Sequence, residues 1–370
     1  MPEKGAALAD RPVSSQFSAV QDVLHQGIEQ HAFPGAAWGV VHRGKMAALD
    51  AVGRFTYEPG APPVLPETVF DLASVSKVAA TTAAAMLLAD RGLFQLDARL
   101  GDILPGFVVG MEPGSGKERV TLRMLLAHTS GLVGYAPLFR ASTTPEALLR
   151  TILRMPLENR PGEKTEYSDF GYILLGKVIE VLSGQPLDVF CTHAIFAPLG
   201  LKTTCFLPPD TWRNTIPPTE DDRILRHRII QGEVQDEHAF VLGGVAGHAG
   251  VFANVHDLLR FAQCILDQGR TADGQPLFQP RTVEQFATRQ DSGRALGWDV
   301  PTENSSSGRH FGPRSIGHLG YAGTSLWIDP DRELAVVLLT NRTWPDRSNE
   351  AIRQIRPPFH DAVVEALGLA

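Results

Sequence analysis

A serine and a lysine three residues apart form the pair in this chain best suited to covalent chemistry. Ser74 and Lys77 open an alanine-rich apolar run from 78 to 89, and no other Ser-x-x-Lys occurs in the sequence. Residues three apart on a helix share a face, so the Lys77 ammonium can reach the Ser74 oxygen. The amino end of the helix stabilises negative charge that develops there. This spacing predicts a nucleophile with its base beside it.

Lys77 can serve as a base only in its neutral form. Its pKa must then fall from roughly 10.4 toward 7 or 8, which requires burial together with a second cation such as a protonated His318. The competing interpretation is structural, with Ser74 as a helix N-cap and Lys77 as a solvated helix charge. The pair alone does not decide between them, because so short a match is expected about once by chance in a chain of this length.

Two later segments carry groups that would complete such a site. Tyr167 lies in Tyr-Ser-Asp directly before a predicted helix, where its phenol can relay a proton, unless it is an amphipathic core tyrosine. Residues 317–325 read Gly-His-Leu-Gly-Tyr-Ala-Gly-Thr-Ser and lead into a predicted strand. There Tyr321 can offer a backbone N–H to an oxyanion, and Gly320 lets a substrate approach closely.

Two hairpins and a set of helices must position these residues. Apolar runs at 36–42 and 46–52 predict one hairpin, and runs at 325–329 and 334–340 predict another. The sheet is therefore expected to be built from both ends of the chain. Helices are predicted at 75–91, at 145–155 with Thr144 as N-cap, at 172–182 before Gly184, and at 257–266.

Composition indicates a globular protein that acts on small molecules. The 370 residues are 43% hydrophobic and 20% charged, which allows a large core. A formal net charge of −7 without a basic cluster argues against nucleic acid or an anionic membrane as partner. No membrane span and no apolar signal segment is visible, so a cytoplasmic protein is expected, or a periplasmic one if a leader has been trimmed. The scattered, odd set of Cys191, Cys205 and Cys264 predicts buried free thiols.

In this order the segments resemble the serine β-lactamase and penicillin-binding protein superfamily. Its signature boxes include Ser-x-x-Lys and a Lys-Thr-Gly strand, to which the Ser74 segment and His318-Leu319-Gly320 are similar. The Tyr167 box makes class C β-lactamases and family VIII carboxylesterases the nearest branch. The resemblance runs from about residue 20 to the end. Further similar segments are 125–132, 160–162, 174–176 with Glu180, 243–252 and 339–342.

The resemblance implies an α/β (α+β) fold with the active site in a cleft between two lobes. Residues 1–70 and 240–370 would form a lobe with a central antiparallel sheet flanked by helices, and residues 71–239 a mainly helical lobe. Ser74 would attack a carbonyl carbon, and the N–H groups of Ser74 and Tyr321 would hold the oxyanion. Neither a metal nor a cofactor would be required. The division of proton transfer between Lys77 and Tyr167 stays open.

Two residues depart from the family pattern. His318 stands where β-lactamases commonly have lysine, which resembles esterases and some peptidases. It would hydrogen-bond a substrate carboxylate or carbonyl, or tune Tyr167 through its charge, and a packed strand histidine is the alternative. Asp169 stands where asparagine is commoner, so that an amide donor to the substrate is missing or replaced by an acceptor.

The remaining candidate residues each have a purely structural interpretation besides the functional one. The resemblance places His248 near the cleft rim, and packing under a glycine turn is at least as good an interpretation. His128 fits turn and capping chemistry better than a catalytic base. Asp236, Glu237 and His238 are neighbours without the spacing of a metal motif, and they are predicted to lie in a solvated loop.

The predicted function is that of a serine acyl-hydrolase. A carboxylesterase of small esters is favoured, because no export signal is visible and His318 replaces the strand lysine. β-Lactamase or D-alanyl-D-alanine carboxypeptidase activity is the alternative on the same fold, and a catalytically silent ligand-binding homologue is the non-enzyme alternative. The expected partner is a small ester or amide, β-lactams included, and the oligomeric state is not predicted.

Overall fold

The computed structural model describes residues 15–112 and 114–370, in which helices and strands are mixed. The strands are β1 (Gly35–His42), β2 (Lys45–Gly53), β3 (Phe70–Asp71), β4 (Cys205–Phe206), β5 (Glu220–Asp222), β6 (Arg228–Ile230), β7 (Val251–Ala253), β8 (Ile316–Leu319), β9 (Ser325–Asp329) and β10 (Leu334–Thr340). The α-helices are α1 (Ser18–Glu29), α2 (Ala83–Asp90), α3 (Leu100–Ile103), α4 (Leu122–Leu126), α5 (Pro145–Arg154), α6 (Asp169–Ser183), α7 (Leu187–Cys191), α8 (Glu237–Val241), α9 (Val255–Leu266), α10 (Pro280–Ala287) and α11 (Ile352–Ala366). Short 3₁₀ turns lie at Ser15–Phe17, Ala73–Val75, Pro105–Phe107, Lys117–Arg119, Leu138–Arg140 and Asp210–Thr215, and π-helical turns at Lys77–Thr82 and Thr192–Phe196.

A five-stranded antiparallel sheet joins the two ends of the described chain. Its order is β2-β1-β10-β9-β8, with Ala36 opposite Val52 on one side and Thr340 on the other. Both predicted hairpins are therefore confirmed. The first turns at Arg43 and Gly44, whose positive φ values of 50° and 71° suit a two-residue hairpin loop.

Helices cover both faces of this sheet. On one face α1 and α11 bury Trp38, Trp327 and Phe359 in a shared apolar cluster. On the other face α9 lies so close to β1 that a Cβ at Gly39 would be 2.7 Å from a methyl carbon of Val255. The glycine is thus what allows the close packing of the helix on the strand. The predicted α/β (α+β) class with a helix-flanked antiparallel sheet is confirmed.

The middle of the chain is mainly helical. Its helices share one apolar core with the sheet, which runs from Ala37 through Val255 to Leu87 and Leu175. Two short strands, β5 and β6, pair with each other here and were not predicted from the sequence. The division into lobes of residues 1–70 with 240–370 and of 71–239 stays a prediction, and its residues 1–14 lie outside the described part.

Helix positions follow the sequence signals, with one exception. The Thr144 hydroxyl accepts the Ala147 N–H at 3.3 Å and caps α5 as predicted. Helix α6 ends before Gly184 as predicted, but begins three residues earlier, at Asp169. The helix predicted at 75–91 is instead a 3₁₀ turn, a π-helical segment and then α2.

Two sequence expectations concern the chain as a whole. All three cysteines are free; Cys191 and Cys264 are buried as predicted, whereas Cys205 is only partly buried. Among the residues that the structure describes, none of the helices has the length and apolar character needed to cross a bilayer. The compartment stays a prediction.

Asp71, at the end of β3, fixes the backbone just before Ser74. Its Oδ1 accepts the Ala73 N–H and its Oδ2 accepts the Gln235 N–H, both at 2.8 Å. Burial raises the pKa of this carboxyl to about 6, although the two backbone hydrogen bonds act in the opposite direction. Ala73 has φ of +47°, a left-handed conformation that is unfavourable for alanine. Asp71 therefore holds a strained turn against a distant loop.

Replacing Asp71 with asparagine should destabilise the fold. The amide presents one acceptor and one donor group, so one of the two backbone N–H groups loses its partner. A buried donor without a partner costs about 1–3 kcal/mol, and urea unfolding of Asp71→Asn should show a loss of that size in the free energy of unfolding. Asp22→Asn, at an exposed position of α1, is the control and should change it by less than about 0.5 kcal/mol. Equal values for the two variants would contradict the role given to Asp71.

Candidate active site

Ser74 lies between two cavities of about 590 and 390 Å³. Tyr167 and Tyr321 line both cavities as well. The structure therefore brings together one residue from each of the three sequence segments that were predicted to form the site.

The turn that carries Ser74 also sets the position of Lys77. The left-handed Ala73 redirects the chain into the 3₁₀ turn, and the π-helical segment begins at Lys77. The lysine Nζ donates a hydrogen bond to Ser74 Oγ at 2.8 Å. The predicted contact between serine and lysine is present, and the competing interpretation of Lys77 as a solvated charge is wrong because its side chain is 0% exposed.

Three groups from separate segments surround the buried Lys77 ammonium. Besides Ser74, these are Asp169, whose Oδ1 lies 2.7 Å from Nζ, and the backbone carbonyl of His248, which accepts at 3.1 Å. The Tyr167 ring centroid lies 5.0 Å from Nζ. Asp169 thus has a definite role as the counter-ion of Lys77.

The expected fall in the pKa of Lys77 does not occur. Burial lowers the pKa of Lys77, but the negative charge of Asp169 and the Tyr167 hydroxyl outweigh burial and raise the pKa above its ordinary value. The second cation that the sequence argument required is also missing, because burial next to Lys77 and Arg294 holds the pKa of His318 well below 6.5. Lys77 is therefore a charged hydrogen-bond donor in the resting site.

A capped turn before α6 positions Tyr167. Ser168 is the N-cap, with its Oγ accepting the Gly171 N–H at 3.4 Å and donating to the Val133 carbonyl at 2.7 Å. The Ser168 N–H donates to Nδ1 of His128 at 3.0 Å, and the ring of His128 lies 4.6 Å from that of Tyr167. His128 therefore positions the tyrosine through its loop.

The Tyr167 hydroxyl is neutral at rest. Burial of the hydroxyl raises its pKa, and the negative charge of Asp169 adds to this effect; Lys77 and Ser74 act in the opposite direction. The residue as a whole is 37% exposed, and the Arg294 guanidinium lies 5.5 Å from its ring centroid. The phenol and the ammonium both carry their protons beside Ser74.

The turn between β8 and β9 carries Tyr321, whose N–H is the predicted oxyanion donor. The Gly320 and Gly323 N–H groups donate hydrogen bonds within this turn, whereas the Tyr321 N–H has no backbone partner among the described residues. A Cβ at Gly320 would lie 1.9 Å from Thr324 Oγ1, so no other residue fits there. The glycine is therefore required by the close packing of Thr324 and the Leu72 carbonyl, and not by the close approach of a substrate that the sequence suggested.

His318 faces the larger cavity as a neutral acceptor. Its Nδ1 donates to the Leu319 carbonyl at 2.8 Å, which leaves Nε2 with a lone pair and no partner among the described residues. A neutral imidazole with a free acceptor binds a substrate N–H or O–H. It does not attract a carboxylate by charge, and it does not tune Tyr167 through a positive charge as the sequence suggested, because its pKa is held well below 6.5.

His248 and its neighbours differ most from the sequence expectation. The His248 side chain is 1% exposed, with Nε2 2.7 Å from Asp236 Oδ1, so it is packed inside the protein instead of lying open on the cleft rim. Only its backbone carbonyl reaches Lys77. Glu237 and His238 are buried at the start of α8, which Asp236 caps, so the predicted solvated loop is wrong.

Two residues that the sequence reasoning missed contribute to the site. Asp71 holds the strained turn, and Arg294 lines the larger cavity beside Tyr167. Asp71 could not be found from the sequence, because an aspartate three residues before a serine is not a recognisable motif. Arg294 lies in a polar segment whose position over the cleft depends entirely on long-range packing.

The two cavities carry opposite charge. The larger is lined by four arginines and two carboxylates: Arg294, Arg342, Arg353, Arg356, Asp299 and Glu350. The smaller is lined by three carboxylates and one arginine: Asp169, Asp236, Glu237 and Arg347. Ser74 therefore lies at the boundary between a cationic and an anionic region.

Comparison with known proteins agrees with this arrangement. A profile of the Beta-lactamase family matches residues 20–356. A protein of Escherichia coli (strain K12) named putative D-alanyl-D-alanine carboxypeptidase is 35% identical over 302 residues, 74% of this chain and 69% of that protein. A protein of Bacillus subtilis (strain 168) named N-acetylmuramyl-L-alanine amidase is 33% identical over 344 residues, 84% of this chain and 77% of that protein.

The solved structure of a penicillin-binding protein homologue from Caulobacter crescentus superimposes with a TM-score of 0.76 at 20% identity, over 96% of this chain and 99% of that chain. At that identity the likeness concerns the fold alone. The profile covers most of the sequence, and the two relatives match over most of their own length, so the resemblance inferred from the motifs is confirmed. The chain belongs to the Beta-lactamase family of serine hydrolases.

Proposed function

We propose that this hydrolase forms an acyl-enzyme on Ser74 and that its substrate is a small amide with charged groups on both sides of the scissile bond. The Lys77 and Tyr167 pair first loses one proton to solvent; Ser74 Oγ then attacks the carbonyl carbon while its own proton passes to that pair. The oxyanion is held by the N–H groups of Ser74 and Tyr321. The amine leaves with a proton from the same pair, and water then hydrolyses the ester on Ser74.

The protonated Lys77 is the observation that favours an amide. An amine is expelled from a tetrahedral intermediate only after protonation, whereas an alcohol needs less help. Once the pair has accepted the Ser74 proton it is again in its fully protonated resting form, with Lys77 Nζ 2.8 Å from Ser74 Oγ, so it can supply the proton that the amine needs. The two relatives are named as a carboxypeptidase and an amidase, and both names denote hydrolysis of an amide bond.

The opposite charges of the two cavities support the substrate class. Arg294 and Arg353 are paired with Asp299 and Glu350, so Arg342 and Arg356 leave the larger cavity with an excess of positive charge that favours a carboxylate. Asp169 and Glu237 are paired with Lys77 and Arg347, so Asp236 leaves the smaller cavity with an excess of negative charge that favours an ammonium group. Short peptides with a free carboxyl end and a basic group meet both conditions. A carboxypeptidase that removes a terminal amino acid is therefore the function that this geometry supports best.

A carboxylesterase is the second candidate, and His318 is the observation that favours it. The strand position that is a lysine in many family members is a neutral acceptor here, which fits an uncharged leaving group. The two functions differ in whether a substrate carboxylate contributes to kcat/KM.

The acyl-enzyme can be tested directly. Intact-mass spectrometry after brief exposure to a nitrophenyl ester or a β-lactam should show one adduct on the wild-type chain and none on Ser74→Ala. Hydrolysis should fall by at least roughly 10³-fold in that variant, because no neighbouring group replaces the nucleophile. Ser76→Ala is the control, since that hydroxyl accepts the Val251 N–H instead of facing the cleft. An adduct that persists on Ser74→Ala would exclude the proposal.

The substrate class predicts a preference for a free carboxylate. A peptide ending in D-alanyl-D-alanine should be cleaved with a kcat/KM roughly 10- to 100-fold higher than its carboxyl-terminal amide, the usual value of a hydrogen bond to a charged group. Arg294→Gln should reduce this ratio, whereas Arg289→Gln, exposed and outside both cavities, should not. Efficient cleavage of neutral short-chain esters with no cleavage of either peptide would favour the carboxylesterase instead.

The counter-ion predicts a shift of the pH profile. The Lys77 and Tyr167 pair must lose a proton before it can accept that of Ser74, so kcat/KM rises with pH through the pKa of the pair. The charge of Asp169 raises both pKa values. Asp169→Asn should therefore move the ascending limb to lower pH, and Asp169→Ala should move it in the same direction. An unchanged limb in both variants would mean that Asp169 does not act on the base.

A further inference from the structure

Asp236, His238 and His248 form a cluster of which the proposed function uses only Asp236, as a carboxylate of the smaller cavity. One nitrogen of each imidazole and one carboxylate oxygen lie within 4.8 Å of one another. Both histidines are 1% exposed, whereas Asp236 lines the smaller cavity beside Ser74. No metal motif was visible in the sequence, because the fold brings His248 to the other two residues from a separate segment.

Two nitrogens of this cluster are buried and have no hydrogen-bond partner within residues 15–112 and 114–370. These are Nε2 of His238 and Nδ1 of His248. The other nitrogen of His238 interacts with the Ala136 carbonyl, which leaves the lone pair on Nε2. Metal-binding histidines characteristically donate their second N–H to a carbonyl or carboxylate in this way. The tautomer of His238 is thus already the one that binds a metal.

Three aromatic rings pack around the imidazole of His238. The rings of Phe139 and Phe170 lie edge-on to the imidazole at 5.4 Å, and that of Tyr135 at 5.7 Å. Aromatic rings in this position hold the imidazole in place without accepting or donating a hydrogen bond. A buried polar atom that stays unpaired in such a setting is costly, and binding of an ion removes that cost.

We propose that Asp236, His238 and His248 bind one divalent transition-metal ion, with Zn²⁺ as the representative case. Two imidazoles and one carboxylate are a donor set that such ions prefer. Tetrahedral bonds of about 2.0–2.1 Å place ligand atoms about 3.4 Å apart, so small side-chain rotations bring the three groups into range. The ion takes the place of the proton between His248 Nε2 and Asp236 Oδ1, and that proton moves to His248 Nδ1.

The site is separate from the proposed catalytic groups. Lys77 contacts His248 only through the backbone carbonyl at 3.1 Å, so an ion on the imidazole leaves this contact in place. Asp236 alone of the three ligands lines the smaller cavity. A three-ligand ion keeps a coordination position for water or another small ligand.

Metal titration of the full chain tests the proposal. After treatment with a chelator, Co²⁺ should give the visible absorption of a tetrahedral complex, and calorimetry with Zn²⁺ should give one ion per chain. His238→Phe removes one ligand and suits the aromatic surroundings, and it should lower the affinity at least 10-fold, the smallest effect expected even for an outer-shell partner. His256→Ala, at a half-exposed position of α9, is the control for surface histidines and should bind as the wild type does.

Two outcomes would overturn the proposal. Absence of a one-to-one complex with either ion would identify the cluster as a structural hydrogen-bond pair. Binding by His238→Phe that equals the wild type would place any ion elsewhere. If His238→Phe does not fold, as judged by thermal melting, Asp236→Asn replaces it, since the amide oxygen still caps α8 while the charged ligand is lost; retained affinity in that variant would equally exclude the site.

Discussion

The burial of one ammonium group is the constraint on which the rest of the cleft depends. Removing an ion from water costs several kcal/mol unless it is paired and hydrogen-bonded. The partners of Lys77 come from three segments, namely the Ser74 turn, the first residue of α6 and the glycine-rich segment before β7. These segments must meet at one point for the charge to be tolerated. The lysine thus makes the position of the nucleophile depend on the packing of the whole centre of the chain.

The same interaction sets the resting state of the site. An asparagine at 169 would satisfy the ammonium by hydrogen bonding, whereas the aspartate adds a full negative charge. That charge stabilises the protonated forms of both neighbours of Ser74. At rest, Lys77 and Tyr167 are therefore both protonated. One of them must lose its proton before the proposed nucleophilic attack by Ser74.

Local features of this molecule were predictable from the sequence, and features that depend on distant packing were not. The hairpins around Arg43 and before Leu334 follow from alternation and turn residues, and the contact of Ser74 with Lys77 follows from helical spacing. The burial of His238 and its approach to His248 depend on where α8 and the glycine-rich segment pack. The direction of the Lys77 pKa depends on Asp169, which is adjacent in space but far along the chain.

The pairing of β1 with β10 places Ala36 opposite Thr340. Contacts so far apart in sequence are entropically expensive to close and form late in folding. A growing polypeptide contains Ser74 and Lys77 long before the β8–β9 turn with Tyr321 has been synthesised. The reactive serine therefore meets its complete pocket only after the two ends of the sheet have joined. The cavity that Ser74 and Tyr321 line together is therefore complete only in a chain whose first and last strands are paired.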